Sequence, residues 1–144
     1  MIFIGSDHAG FELKLAIISY LQKNKIEFKD LGPENTNPVD YPDYGFKVGT
    51  AVAKDKNSLG IAICGTGIGI SIAANKIKGI RAALVYDKEM AKMSRLHNNA
   101  NVLCLGGRVT KVKKAIKILD VFLNTQGPTE ERHLKRIQEL NEVK

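Results

Sequence analysis

The chain has 144 residues, 44% of them hydrophobic, which is enough for one globular domain spanning 1–144 with a sizeable core and too little for a second. No apolar run approaches the roughly 20 residues that cross a bilayer, the opening MIFIG lacks a basic n-region or cleavage pattern, and two cysteines make no disulfide scaffold; a cytoplasmic protein with reduced thiols and no membrane partner is expected. The excess of 22 basic over 15 acidic residues, a formal charge of +7, suits phosphorylated ligands or nucleic acid.

Met1–Gly5 reads as a strand, and Asp7-His8-Ala9-Gly10 leads into a helix whose Leu13, Ala16, Ile17, Tyr20 and Leu21 follow helical spacing as far as Asn24. Ile26–Asp30 is a second short strand. Gly32 to Pro42, with three prolines and two asparagines, is the longest irregular stretch, and loops of that length in compact domains often carry function. A helix is expected from about Asp43 to Lys54.

The segment Leu59–Lys76, LGIAICGTGIGISIAANK, combines a buried strand at Ile61-Ala62-Ile63, a cysteine, glycines at 65, 67 and 69, and a helix. The glycines free the backbone to bend and expose its N–H groups at the helix start, which suits an anion. Cys64 sits beside those groups, where helix-end electrostatics favour thiolate over thiol. The glycine spacing is neither a dinucleotide fingerprint nor a Walker loop.

Arg81–Val85 is the fourth strand, with Asp87 capping a helix to about Leu96. Asn101–Leu105 is the fifth, stopped by Gly106-Gly107. Thr110 is placed to cap a helix with Val112, Ala115, Ile116, Leu119, Phe122 and Leu123 on its buried face. After Gly127-Pro128, Thr129 opens a last helix from Glu130 to about Val143. Lys111, Lys113, Lys114 and Lys117 flank an apolar stripe, so a solvated helix face is preferred there to a nucleic-acid patch.

Strict alternation of strand and helix implies a three-layer α/β/α fold: a doubly wound, Rossmann-like, five-stranded parallel sheet with helices on both faces. The usual strand order, 2-1-3-4-5, has its switch point between strands 1 and 3, outside their carboxyl ends. Asp7 and His8 follow strand 1, and Cys64 with its glycine turn follows strand 3, so topology alone gathers them.

Each candidate has an ordinary alternative. A strand-end cysteine is commonly a core residue; the glycine turn singles out Cys64, whereas Cys104 is read as structural. Asp7 can be a helix cap and His8 a loop hydrogen-bonder. His97-Asn98-Asn99 can be a polar helix end favoured by the dipole. His97 precedes strand 5 and belongs near the amino ends of the strands, while Cys64 lies at the carboxyl ends, roughly 17 Å away along a five-residue strand. If His97 is catalytic, it must come from a partner subunit. Arg132, His133 and Arg136 make one cationic face of the last helix, and Arg108 follows strand 5; arginine's fork suits a phosphate dianion. Leu134, Ile137 and Leu140 form the aliphatic side of that helix.

Taken together, G-S-D-H-A-G at 5–10, D-Y-P at 40–42, C-G-T-G-I-G-I-S-I-A-A-N-K at 64–76, H-N-N-A-N at 97–101, G-G-R at 106–108 and R-H-L-K-R at 132–136 resemble type B ribose-5-phosphate isomerase, in the family that includes the galactose-6-phosphate isomerase subunits. The resemblance runs essentially end to end. It implies a metal-free, cofactor-free aldose–ketose isomerase of the non-oxidative pentose phosphate pathway, acting through a cis-enediolate. Cys64 would be the base, Thr66 would assist proton movement, and N–H groups across Gly65, Thr66, Gly67, Ile68 and Gly69 would hold the enediolate, each worth ~3 kcal/mol. His97 of the other subunit, with Asp7 nearby, would open the furanose. His8, Arg108, Arg132 and Arg136 would grip the phosphate, and Tyr41 and Asn98 would contact the sugar. The family implication is a homodimer with shared sites, which pairs further into a tetramer in one alternative. Two departures stand out: Asn99, usually aspartate, and Glu130-Glu131, often two glycines. The alternatives are a hexose-phosphate isomerase acting on galactose 6-phosphate or allose 6-phosphate, and, outside enzymes, a basic nucleotide- or nucleic-acid-binding module.

Overall fold

The computed structural model describes residues 1–143. Five parallel strands, β1 (Ile2–Ser6), β2 (Phe28–Asp30), β3 (Leu59–Cys64), β4 (Ala82–Leu84) and β5 (Val102–Gly106), form one sheet. Between and after them run α1 (Phe11–Lys23), α2 (Tyr41–Lys54), α3 (Ile68–Asn75), α4 (Lys88–Asn98), α5 (Val112–Asn124) and α6 (Glu131–Glu142).

Side-chain alternation along the strands divides the core between the two faces of the sheet. Ile4, Ile61, Ile63, Leu103 and Leu105 meet Leu13, Ile17 and Leu21 of α1 and Ala115, Ile118, Leu119 and Phe122 of α5. On the other face the smaller Ala62, Cys64, Val102 and Cys104 meet Val48 and Val52 of α2 and Ile70 and Ala74 of α3. Cys64 therefore faces the α2/α3 layer.

The three-layer parallel architecture is as expected, but the strand order is β2-β1-β3-β5-β4, with the last two places exchanged relative to 2-1-3-4-5. The reason lies in the strands. All five residues of β5 are buried, as a central strand requires, whereas β4 has three residues that are only half-buried and suits an edge. The exchange sets Cys64 opposite Gly106 and brings the loop after β5 against the cysteine turn.

Several element boundaries shift: β2 begins at Phe28 rather than Ile26, β4 shortens from Arg81–Val85 to Ala82–Leu84, and α4 runs to Asn98 rather than Leu96. α2 begins at Tyr41 rather than Asp43, with Asp40 at its N-cap, because Pro42 is welcome in a first helical turn. Thr110 is buried and its N–H bonds to the Gly106 carbonyl at 2.9 Å, closing a turn, so Lys111 occupies the cap position of α5. The last helix begins at Glu131, one residue later than expected. Ile118 joins the buried stripe of α5, while Val112, in its first turn, is 49% exposed. Asp87 caps α4 as expected, accepting from the Met90 N–H at 2.8 Å. The four lysines beside the α5 stripe are exposed. Among the described residues no helix is long and apolar enough to cross a membrane.

One buried charge anchors the loop that approaches the switch point. Lys14, at 0% exposure, donates from Nζ to Asp30 Oδ1 at 2.8 Å and to the Pro33 carbonyl at 2.6 Å, tying α1 to the start of the 31–40 loop. Asp30 is part-exposed and also accepts from the Gly32 N–H. Removing Asp30 strands an ammonium in the interior, whereas removing Lys14 leaves a carboxylate that water can reach. Asp30→Ala should therefore cost about 3 kcal/mol and Lys14→Met clearly less, read from denaturant midpoints; the opposite order would contradict this account of the pair.

Candidate active site

Three loops meet at the carboxyl ends of β1, β3 and β5. The Asp7 N–H bonds to the Ile63 carbonyl at 3.0 Å, the Gly107 N–H to the Cys64 carbonyl at 2.8 Å, and the Arg108 N–H to the Gly65 carbonyl at 3.0 Å. The loops approach so closely that a Cβ on Gly107 would lie 2.7 Å from the Ala9 carbonyl oxygen. This junction brings together the loops that carry Asp7, His8, Cys64, Thr66 and Arg108.

Cys64 is nearly buried, and its Sγ accepts the Gly67 N–H at 3.2 Å. Thr66 is exposed, and its Oγ1 accepts the Ile68 N–H at 3.2 Å, which leaves the hydroxyl proton free to turn outward. Two N–H groups of the turn, those of Gly67 and Ile68, thus serve the turn's own Sγ and Oγ1. Gly67 has φ +84°, and a Cβ there would lie 2.6 Å from Leu84 Cδ1 and 2.9 Å from the Leu105 carbonyl carbon. The ring of Tyr41 lies against Gly69.

Asp7 is buried and its Oδ1 accepts the Gly10 N–H at 2.9 Å, which fixes the turn leading into α1; the N-cap position itself is held by Gly10. His8 accepts the Val39 N–H at Nδ1 (3.1 Å), and its neutral ring therefore carries its proton on Nε2. A cavity of about 770 Å³ opens beside His8, lined by Val39, Asp40, Asp43, Tyr44 and Lys47 among others. Cys64 and the glycine turn do not line it. The Arg108 Nη1 lies 3.5 Å from where a Cβ on Gly65 would stand, so its guanidinium runs alongside the turn.

The two cysteines differ. Cys104 is wholly buried, and burial, then the neighbouring Cys64, push its thiol well above the usual cysteine range, as befits the structural role expected of it. Both thiols are free.

His97, Asn98, Arg132 and Arg136 lie elsewhere. The Asn101 carbonyl accepts the N–H of Gly60, near the start of β3, and Arg81 reaches the carbonyls of Asn98 and Asn99, so this cluster sits at the amino ends of the strands. Cys64 is about 13 Å further along β3, four residues at the strand rise. Asn99 ends α4 at φ 45°, a conformation asparagine tolerates, and its Oδ1 accepts from Arg95 at 3.0 Å. Arg132 donates from Nε to Glu130 Oε2 at 2.9 Å, an exposed pair. The chain thus carries two separated groups of candidates.

Three features escape a reading of the sequence. Val39 acts through its backbone, which no residue type announces. Tyr86 donates to the Thr66 carbonyl at 3.0 Å, a contact between segments 20 residues apart that no local pattern signals. His133 belongs to no outward cationic face: it is buried and its ring stacks on His97, centroids 4.5 Å apart. Among the described residues no group of three or more His, Cys, Asp and Glu could hold a metal ion.

A family model described as Ribose/Galactose Isomerase matches residues 2–140. A Mycoplasma pneumoniae protein named probable ribose-5-phosphate isomerase B is 49% identical over 137 residues, covering 94% of this chain and 90% of its own. Ribose-5-phosphate isomerase B of Escherichia coli K12 is 42% identical, covering 99% and 95%. The solved ribose-5-phosphate isomerase B of Clostridium thermocellum has a TM-score of 0.95 at 48% identity, covering 98% and 95%. That of Mycoplasma genitalium, with bound ribulose-5-phosphate, has a TM-score of 0.93 at 44% identity, covering 97% and 93%.

The two ends of the turn should respond differently to a methyl group. Gly67→Ala combines a left-handed backbone with overlap against Leu84 and Leu105 and should cost about 2 kcal/mol or more, whereas the Cβ of Gly65→Ala meets only ordinary contacts at 3.5 Å. Thermal denaturation of both variants checks this, and equal losses would contradict it.

Proposed function

The chain belongs to the ribose/galactose isomerase family, and we propose that it interconverts ribose 5-phosphate and ribulose 5-phosphate through a cis-enediolate with Cys64 as the base. The observation that supports the residue assignment is the junction of three loops, where the segments bearing Asp7, His8 and Arg108 are fastened by backbone bonds to the turn whose cysteine sulfur accepts the Gly67 N–H. The relative from Mycoplasma genitalium, solved with ribulose-5-phosphate, supports the substrate class.

The chemistry needs one proton moved between adjacent carbons. The Cys64 thiolate takes the proton from C2 of the open aldose, and the electron pair shifts to give a C1–C2 double bond with negative charge on O1. The Gly67 N–H bond to Sγ, stronger while the sulfur is charged, holds the base in place. With that donor engaged, the N–H groups of Gly65, Thr66 and Gly69 serve the enediolate, whose charge exists only during reaction. The outward hydroxyl of Thr66 passes the proton from O2 to O1, and Cys64 returns its proton to C1. No oxidant or reductant is consumed.

Ribose 5-phosphate arrives as a furanose and must open first. His97 of a second copy moves the proton from the anomeric hydroxyl to the ring oxygen, with Asp7 nearby. The same copy supplies Asn98 to the sugar and Arg132 and Arg136 to the phosphate, completing a grip begun by His8 Nε2–H and Arg108. Tyr41, against Gly69, contacts the sugar. A homodimer fits the apolar surface on both groups: Ile68 and Ile72 of α3 are 48% and 57% exposed, and Leu134 and Leu140 of α6 are 46% and 55% exposed. A two-fold axis pairing these helices would complete two sites at once. The free thiols suit the reducing cytoplasm, where we place the enzyme.

Cys64→Ala should lower conversion of ribose 5-phosphate at least 1,000-fold, about 4 kcal/mol, and stop solvent deuterium entering at C2, while a phosphate-bearing inhibitor still binds. Exchange persisting at the wild-type rate would remove Cys64 as the base. In a side-by-side kcat/KM comparison ribose 5-phosphate should exceed galactose 6-phosphate and allose 6-phosphate by at least about tenfold, roughly 1.4 kcal/mol; a faster six-carbon substrate would overturn the pentose assignment.

A further inference from the structure

The reaction as proposed leaves one histidine of the second group unused. His133, on α6, is 7% exposed, and its ring lies against that of His97 on α4 with centroids 4.5 Å apart and planes 20° from parallel. His97 itself is exposed and stands in the last turn of its helix. Without support such a side chain would sample several rotamers, and an acid/base group gains from being held in one.

The surroundings of His133 favour the uncharged ring. Burial lowers its proton affinity first, then His97 and Arg132; Glu130, with Oε2 at 3.8 Å from Nε2, opposes them, and Arg136 lowers it further. A neutral ring can stack on His97 in either protonation state, whereas two imidazolium rings at this distance would repel. Since α6 also carries Arg132 and Arg136, the stack ties the orientation of His97 to the helix that bears the phosphate arginines.

We propose that His133 is a positioning residue for furanose opening: its ring, held between α6 and α4, fixes the face of the His97 imidazole so that the edge nitrogens meet the sugar of a substrate bound on the partner chain. The proposal rests on the reading of His97 as the ring-opening group, and the two can be tested separately. Ribose 5-phosphate is cyclic. Ribulose 5-phosphate, its O5 phosphorylated, closes no furanose, so exchange of its C1 hydrogen with solvent needs Cys64 but no ring opening.

His133→Ala should lower kcat for ribose 5-phosphate at least tenfold while C1 exchange in ribulose 5-phosphate stays within threefold of wild type. His133→Phe, which keeps a flat stacking face and has no ring nitrogen, should restore the forward rate to within threefold. Equal losses in the two assays, no recovery with phenylalanine, or an unchanged forward rate in His133→Ala would each overturn the positioning role. His97→Ala in the same assays separates the premises. Forward activity retained there would overturn the ring-opening role of His97 and the proposal with it. Loss of forward activity with C1 exchange kept, beside normal His133 variants, would overturn the proposal alone.

Discussion

The site depends on three backbone hydrogen bonds at the carboxyl end of the sheet: Asp7 N–H to Ile63, Gly107 N–H to Cys64, and Arg108 N–H to Gly65. They fasten the loops after β1 and β5 to the turn after β3, and they form because β3 is flanked by β1 and β5. With β4 beside β3, the Gly106–Arg108 loop would be one strand further away. Strand order here sets which cation lies along the glycine turn.

The same sheet that gathers these groups keeps others apart. His97, with the start of α6 stacked on it, belongs to the amino ends of the strands, and no side-chain rotation crosses a strand's length. An isomerase of this kind must open a ring, hold a phosphate and move a carbon-bound proton within one sugar's reach. In the proposed mechanism a single copy supplies the proton-moving half and part of the phosphate grip. The proposed homodimer reconciles a fold that separates these groups with a reaction that needs them together, and it makes assembly a requirement for activity.

Much of this was legible in the sequence because it follows from local pattern. The cysteine and glycine run after a buried strand, the Asp-His pair after the first strand, and the strand-helix alternation together placed Asp7, His8 and Cys64 at one switch point. The separation of His97 from Cys64 was also legible, since it needs only the direction of strand 5. What was not legible depends on tertiary competition. The exchange of β4 and β5 was decided by burial of whole strands, and the inward turn of His133 by packing between two helices. The engagement of the Gly67 N–H with sulfur depends on how the turn bends, and the His8–Val39 contact runs through a backbone group whose side chain carries no signal. Pro42 marked a loop end by pattern, yet it sits inside a helix because a first turn accepts it.

The central claim is that each working site is built from two copies of the chain. Mixing inactive Cys64→Ala protein with inactive His97→Ala protein, under conditions of proven subunit exchange, tests it most directly. Heterodimers should regain ribose 5-phosphate isomerisation, because one of their two sites has both Cys64 and His97 intact and the other has neither. At equal mixing half the dimers are of this kind, so recovery should approach about one quarter of wild-type activity. Continued inactivity of the exchanged mixture would contradict a shared site.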